Sequence, residues 1–257
     1  MSRGSKDFDL AAAVNDRQIL AGCLARSPDL AEGDLELKTY EGYSSAAGAL
    51  NAGLDGSTAP IVIFAHQDVY LPRGWLAGLI TQINVLEQTC PDWGVLGLFG
   101  VTETGNWVGR VWSSGLGREA GAGGFSPTPV VTMDELLLVL RRDSGLRFDE
   151  RLPGFHLYGT DIVTEGRVRG IPSFVVDAPA VHNSRPTRTL KGAYVRAYGF
   201  MQRKWWAHLP LRTLVCDITR LPMALWRARI QGLKIYRRNV RRAPRDAVEI
   251  ARSLNYE

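Results

Sequence analysis

The stretch Ile61-Val62-Ile63-Phe64-Ala65-His66-Gln67-Asp68-Val69-Tyr70-Leu71-Pro72 decides how this chain folds. An apolar, largely β-branched run stops abruptly on His-Gln-Asp. A continuous apolar run of this length is expected to form a strand buried on both faces, as in a parallel sheet. Its end would bring His66 and Asp68 to the carboxyl edge of the sheet, where open α/β folds bind ligands. An imidazole and a carboxylate at such an edge can hold a metal or a phosphate. The alternative is a solvated strand end that is simply polar.

On either side the chain alternates. Phe8 to Val14 reads as a first strand closed by Asn15 and Asp16, followed by a helix over residues 17–26. Residues 34–39 give a second strand, ending near Glu41, and the Ala-rich stretch 44–54 gives a helix with Ser44 or Ser45 as N-cap. Trp75, Leu76, Leu79, Ile80, Ile83 and Leu86 stand at helical spacing within 74–88. Residues 95–100 are apolar and strand-like. Residues 101–127 are rich in Gly and carry Trp, without clear period, and 132–140 fits a capped strand or a short helix. A strand over 173–177 and helices over 162–169, 189–206 and about 221–242 complete the pattern, with Gly170 as a C-cap. Such alternation predicts a mostly parallel α/β sheet flanked by helices.

The 257 residues suffice for one α/β domain and a short extension. Cys23, Cys90 and Cys216 are far apart and odd in number, which argues against structural zinc and for reduced thiols in a cytoplasmic protein. The first residues, Met1 to Asp7, lack a signal-peptide core, and no run of about 18 apolar residues predicts a membrane span. No GxGxxG follows the first strand and no GxxxxGK[ST] occurs, which counts against dinucleotide enzymes and P-loop NTPases. The net charge of +5 is uneven: residues 201–257 hold 13 Lys and Arg against 4 Asp and Glu, the remainder 18 against 22. This shift divides the chain into residues 1–200 and a basic helical extension, 201–257.

Two further segments carry chemistry. Phe148-Asp149-Glu150 leads into Phe155-His156-Leu157-Tyr158-Gly159-Thr160-Asp161, and His182-Asn183-Ser184 follows a strand-like run. With the His-Gln-Asp segment, in this order and at these separations, the chain resembles bacterial family 2-type glycosyltransferases of GT-A fold, in the branch with HQD where most members carry DxD. The likeness covers roughly residues 7–190.

That resemblance implies a nucleotide-sugar donor, a saccharide or lipid-linked acceptor, and Mn²⁺ or Mg²⁺ to offset the leaving diphosphate. Asp68 matches the last acid of DxD and becomes a metal ligand, with His182 returning as an imidazole ligand. His66 departs from the usual Asp and is expected at ribose or phosphate, with Gln67 beside it in the donor site. Asn15, Asp16 and Glu41 are expected at base and ribose, and Asn51 faces the same cleft. Asp161 matches the final Asp of the ED motif, with Thr160 where Glu is usual, and is the expected general base of an inverting transfer. It equally suits a helix N-cap. Trp107, His156 and Tyr158 are candidates to stack on acceptor sugar rings. The implied setting is surface polysaccharide or glycolipid synthesis.

Projected as a helix, Leu225, Trp226, Ile230, Leu233, Tyr236 and Val240 form one stripe, beside Arg227, Lys234, Arg238, Arg241 and Arg242. A basic amphipathic helix with Trp is expected to rest on an anionic membrane surface, on the cytoplasmic face, or else to pack on the domain. Competing readings are a nucleotidyltransferase, a non-catalytic binding or scaffold protein of the same fold, and a nucleic-acid-binding protein using the tail. The last has no supporting motif.

Overall fold

In a computed structural model, residues 3–184, 190–238 and 245–257 are described, with side chains of residues 232–238 left aside. The strands are β1 (Phe8–Val14), β2 (Leu37–Glu41), β3 (Ile61–Ala65), β4 (Val69–Tyr70), β5 (Val95–Gly97), β6 (Phe99–Val101), β7 (Trp107–Ser113), β8 (Arg118–Gly121), β9 (Thr128–Pro129), β10 (Thr132–Met133), β11 (Leu137–Arg141), β12 (Ser173–Val175) and β13 (Ala180–His182). The helices are α1 (Arg17–Gly22), α2 (Pro28–Ala31), α3 (Ala46–Asp55), α4 (Trp75–Glu87), α5 (Tyr158–Val168), α6 (Ala193–Lys204), α7 (Met223–Arg238) and α8 (Ala247–Ser253).

The main sheet has the order β2-β1-β3-β11-β5-β12-β9. From the pairings, β2, β1, β3, β5 and β12 run one way, and β11 and β9 run against them. This is the mostly parallel α/β sheet expected, with β11 as an antiparallel insertion at its centre. Every β3 residue is buried. Ile61 and Ile63 pack with α4, whereas Val62 and Phe64 pack with α3 and α5, so both faces are covered. Hence the run is continuously apolar instead of alternating. Gly53 lets α3 lie close, since a Cβ there would meet Phe64 Cε1 at 3.0 Å and Ala11 Cβ at 3.1 Å.

The chain leaves β1 for β2 on one side and returns to β3 on the other. The strand order therefore reverses at β1, where doubly wound folds place a ligand crevice. A second sheet, β10-β6-β7-β13-β4 with β8 on β7, lies beyond Leu98, where β5 hands the chain to β6. Residues 101–127 thus hold a hairpin of β7 and β8.

Two expectations change here. First, the boundary at residue 200 falls inside α6, whose Ala197, Tyr198 and Met201 are fully buried. Trp205, Leu209, Leu211, Ile218 and Leu225 continue the same core. α8 buries Ala247, Ile250 and Ala251 against Cys23, Tyr70 and Val181. Among the described residues, the chain after residue 200 therefore continues into the cores that the earlier elements form. Second, α5 begins at Tyr158, so Asp161 lies inside its first turn and does not precede it. All three cysteines are free. Among the described residues no helix is long and apolar enough to cross a membrane.

Candidate functional site

The carboxyl ends of β1, β2 and β3 open into a cleft of about 640 Å³. Its lining includes Asn15, Arg17, Tyr40, Glu41, Tyr43, His66, Asp68, Glu135, Phe155 and Tyr158.

At the cleft floor three side chains converge. His66 and Asp68 follow β3 in a tight turn, with Val69 N donating to His66 O at 3.1 Å. β13 pairs antiparallel with β4, setting His182 opposite Val69, and Asn183 N donates to Asp68 O at 2.8 Å. Strand pairing thus carries His182 to a residue far earlier in the chain. His182 Nε2 lies 3.5 Å and His66 Nδ1 3.9 Å from Asp68 Oδ1. One ligand atom from each of the three lies within 4.8 Å of the others. Two imidazoles and a carboxylate at that spacing suit a first-row transition cation better than Mg²⁺, which prefers oxygen ligands.

The electrostatics fit this grouping. Burial is the largest single influence and works against the Asp68 carboxylate, but the His182 hydrogen bond and the charges of His182 and His66 together outweigh it and hold it at about 2. Burial also opposes charge on His182, yet the Asp68 hydrogen bond and charge raise it above the ordinary histidine range. Burial lowers His66, leaving a neutral ring. Tyr158 Oη lies 2.7 Å from His66 Nε2 and donates at 3.0 Å to the Glu135 carbonyl. A tyrosine has one hydroxyl proton, so His66 supplies the proton of the shorter contact. The network assigns the Nε2–H tautomer, with the Nδ1 lone pair on the Asp68 side.

Other sequence candidates sit as follows. Gln67 Oε1 accepts from Asn15 N and Asp16 N, both at 3.0 Å, and its Nε2 donates to Asn15 Oδ1 at 2.6 Å. Gln67 thereby ties the end of β3 to the end of β1. Asp16 caps α1, accepting from Gln18 and Ile19 amides. Glu41 pairs with Arg17 at 3.1 Å on the rim. Asn51 is buried and clamps Phe148 N and O and Glu150 Oε1; it lies outside the cleft lining.

Of the acceptor candidates, Tyr158 lines the cleft, whereas Trp107 and His156 do not. Trp107 is exposed and meets Phe99 edge-on, and the His156 ring meets Tyr194 at 5.5 Å. Asp161 also lies outside the lining. It is 2% exposed, accepts from Trp205 Nε1 at 2.7 Å, and pairs with Lys204 Nζ at 2.8 Å. Both carboxylate oxygens are engaged, so this geometry presents no free carboxylate to an acceptor. Glu135, Arg17, Tyr43 and Phe155, which carry no motif, also line the cleft. The only local signal for Glu135 is an acidic pair, Asp134-Glu135, set between apolar runs.

No protein-family model matches the chain. A protein of Fuscovulum blasticum named ATP synthase subunits region ORF 6 is 27% identical over 171 residues, covering 63% of this chain and 66% of that protein. Among solved structures, mannosyltransferase PcManGT from Pyrobaculum calidifontis, in complex with GDP-Man and Mn²⁺, is 13% identical, with TM-score 0.49, 97% of this chain and 80% of that one covered. S. aureus TarS 1-349 in complex with UDP-GlcNAc is 13% identical, with TM-score 0.47 and 89% and 71% covered. GalNAc-T7 with UDP, GalNAc and Mn²⁺ is 13% identical, with TM-score 0.46 and 95% of this chain covered, which spans 57% of that chain. At such identity the likeness concerns the fold.

Proposed function

We propose that this protein transfers a glycosyl group from a nucleoside-diphosphate sugar to a hydroxyl acceptor, with inversion and with help from a divalent cation, Mn²⁺ above Mg²⁺. The observation that carries the reading is the meeting of His66, Asp68 and His182 at the floor of a cleft lying over three parallel strand ends. His66, Asp68 and His182 would hold the cation, which when bound offsets charge building up on the departing diphosphate. Asp68, held ionised, supplies the negative charge that such an ion needs. The neutral His66 and its fixed tautomer keep one lone pair ready.

Tyr40 and Tyr43, edge to face at 6.5 Å, form one wall suited to a nucleobase, and Glu41 offers an acceptor for its N–H groups or for ribose hydroxyls. Arg17, the ion-pair partner of Glu41, also lines the cleft. Phe155, partly exposed in the cleft lining, offers an apolar surface to a sugar face.

The acceptor is best placed at an anionic membrane surface. Leu221, Met223, Trp226 and Ile230 are 54–68% exposed along α7 and its entry, while Leu225 anchors that helix in the core. Arg227 and Arg229 flank the exposed side chains. The remaining stripe residues Leu233, Tyr236 and Val240, and Lys234, Arg238, Arg241 and Arg242, lie outside the residues whose side chains are described.

Thermal denaturation with UDP, GDP, dTDP and CMP sugars, each with and without Mn²⁺, tests the reading. One nucleotide class should raise stability only with the metal, by about 2.7 kcal/mol at a hundredfold excess over Kd. No shift with any of them would overturn it.

A further inference from the structure

One acidic side chain in the cleft, Glu135, meets the backbone amides at the start of α5. Glu135 stands on the link between β10 and β11. Asp134 N donates to Phe99 O at 2.8 Å, Asp134 Oδ1 accepts from Leu136 N at 2.8 Å, and Leu136 O accepts from His66 N at 2.9 Å. The link is therefore clamped on both sides, and Glu135 lines the cleft.

α5 points its start at this residue. Its N-cap, Leu157, sits at φ 66° and provides no side-chain cap. Glu135 Oε1 accepts from Gly159 N at 3.3 Å instead, serving an amide the helix leaves unpaired. Gly159 is what permits the approach: a Cβ there would meet Glu135 Cγ at 2.9 Å and Met133 O at 3.0 Å. Through Tyr158, which contacts both the Glu135 carbonyl and His66, this acid is also fixed relative to the His66–Asp68–His182 group.

Asp161 offers no such position, being closed off by Lys204 and Trp205. Resting on the glycosyl-transfer reading, we propose that Glu135, and not Asp161, is the carboxylate that takes the proton of the acceptor hydroxyl. As the proton passes to Glu135, the acceptor oxygen bonds to the anomeric carbon. The bond from that carbon to the diphosphate oxygen breaks, and its electron pair leaves with the nucleoside diphosphate. Glu135 then returns the proton to water. Burial, and next the charge of Asp134, push this carboxyl up to about 8, which matches a base working near neutral pH.

The experiment has two stages on the full chain. Calorimetry with UDP and GDP, each with Mn²⁺, tests nucleotide binding by the wild type, Glu135→Gln and Glu135→Asp. Release of nucleoside diphosphate from the sugar of the nucleotide that binds, with water as acceptor, then measures turnover in all three. For Glu135→Gln, Kd should stay within about twofold and turnover should fall at least about 100-fold. Glu135→Asp, which keeps a carboxylate, should recover part of that loss with Kd unchanged. Tight nucleotide binding with Gln-variant turnover within threefold of wild type overturns the assignment of Glu135 while leaving glycosyl transfer intact. Equal loss in the Gln and Asp variants also overturns it, since a retained carboxylate should help a base. Absence of nucleotide binding by the wild type overturns the transfer reading, and the assignment with it.

Discussion

Tyr158 Oη and His66 Nε2 lie 2.7 Å apart, and the proton between them belongs to the histidine. Tyr158 is therefore a positioning residue for His66. Outer hydrogen-bond partners of metal-binding histidines typically change metal affinity by about 10- to 100-fold when removed. Tyr158→Phe should weaken Mn²⁺ binding by at least about tenfold, read by electron paramagnetic resonance titration without nucleotide. Its thermal midpoint should stay close to wild type. Undiminished Mn²⁺ affinity would detach Tyr158 from the metal group.

Asp161 and Lys204 form a buried ion pair. The two side chains are 3% and 16% exposed, and Lys204 also reaches Asp149 at 3.0 Å. Removing one partner of a buried pair costs about 3–5 kcal/mol because the other charge is stranded. Lys204→Met should lose stability in that range at pH 7. The loss should shrink as pH falls, because burial already raises Asp161 and a protonated carboxyl needs no cation. Urea midpoints at pH 4.5 and 7 check both parts; a loss independent of pH would contradict this account.

Glu135 links stability to pH in the opposite sense to most carboxylates. Between its ordinary 4.5 and about 8, the unfolded chain has released a proton that the folded chain keeps. Stability should therefore decline as pH rises through that window, by up to about 1.4 kcal/mol per unit, and level off above it. Glu135→Gln removes this decline. Its advantage over wild type in urea midpoint should grow from pH 5 to pH 8; parallel curves would show an ordinary carboxyl.

Exposed apolar residues on α7 can be changed without touching the core. Trp226→Ser with Ile230→Ser should leave the thermal midpoint within about 2 °C, since surface changes usually stay within about 0.5 kcal/mol. Sedimentation with phosphatidylserine-containing vesicles should drop several-fold and, in the wild type, weaken with salt. Equal sedimentation of both proteins would remove α7 from any membrane contact. Ending the chain near Arg220 is a poorer test, because Leu225 and α8 would leave the core with it.

Much of the frame is legible in the residues alone. Ile61 to Ala65 forms β3 with the bounds its apolar run marks, and α4 covers the stretch where Trp75, Leu79 and Ile83 keep helical spacing. Residues 132–140 are ambiguous in sequence, because Leu136 to Leu140 is apolar throughout and fits helix or strand equally. Pairing with β3 on one side and β5 on the other settles it. Asp68 and His182 meet as the motif order implies, whereas His66, expected at ribose or phosphate, joins them. Asp161 looks available until Lys204 and Trp205, more than forty residues later, close over it. Glu135 gains its place from α5, which local sequence around 135 does not announce.

The antiparallel insertion of β11 also dictates when this protein becomes safe from its own surfaces. During synthesis β2, β1 and β3 can pair as soon as they emerge, but β3's other edge waits until Leu137–Arg141 has been made. Until then the fully apolar strand Ile61–Ala65 is an open template for other chains. A nascent chain stalled before residue 137 is thus a natural client for chaperones, and a fragment ending there should aggregate when expressed alone.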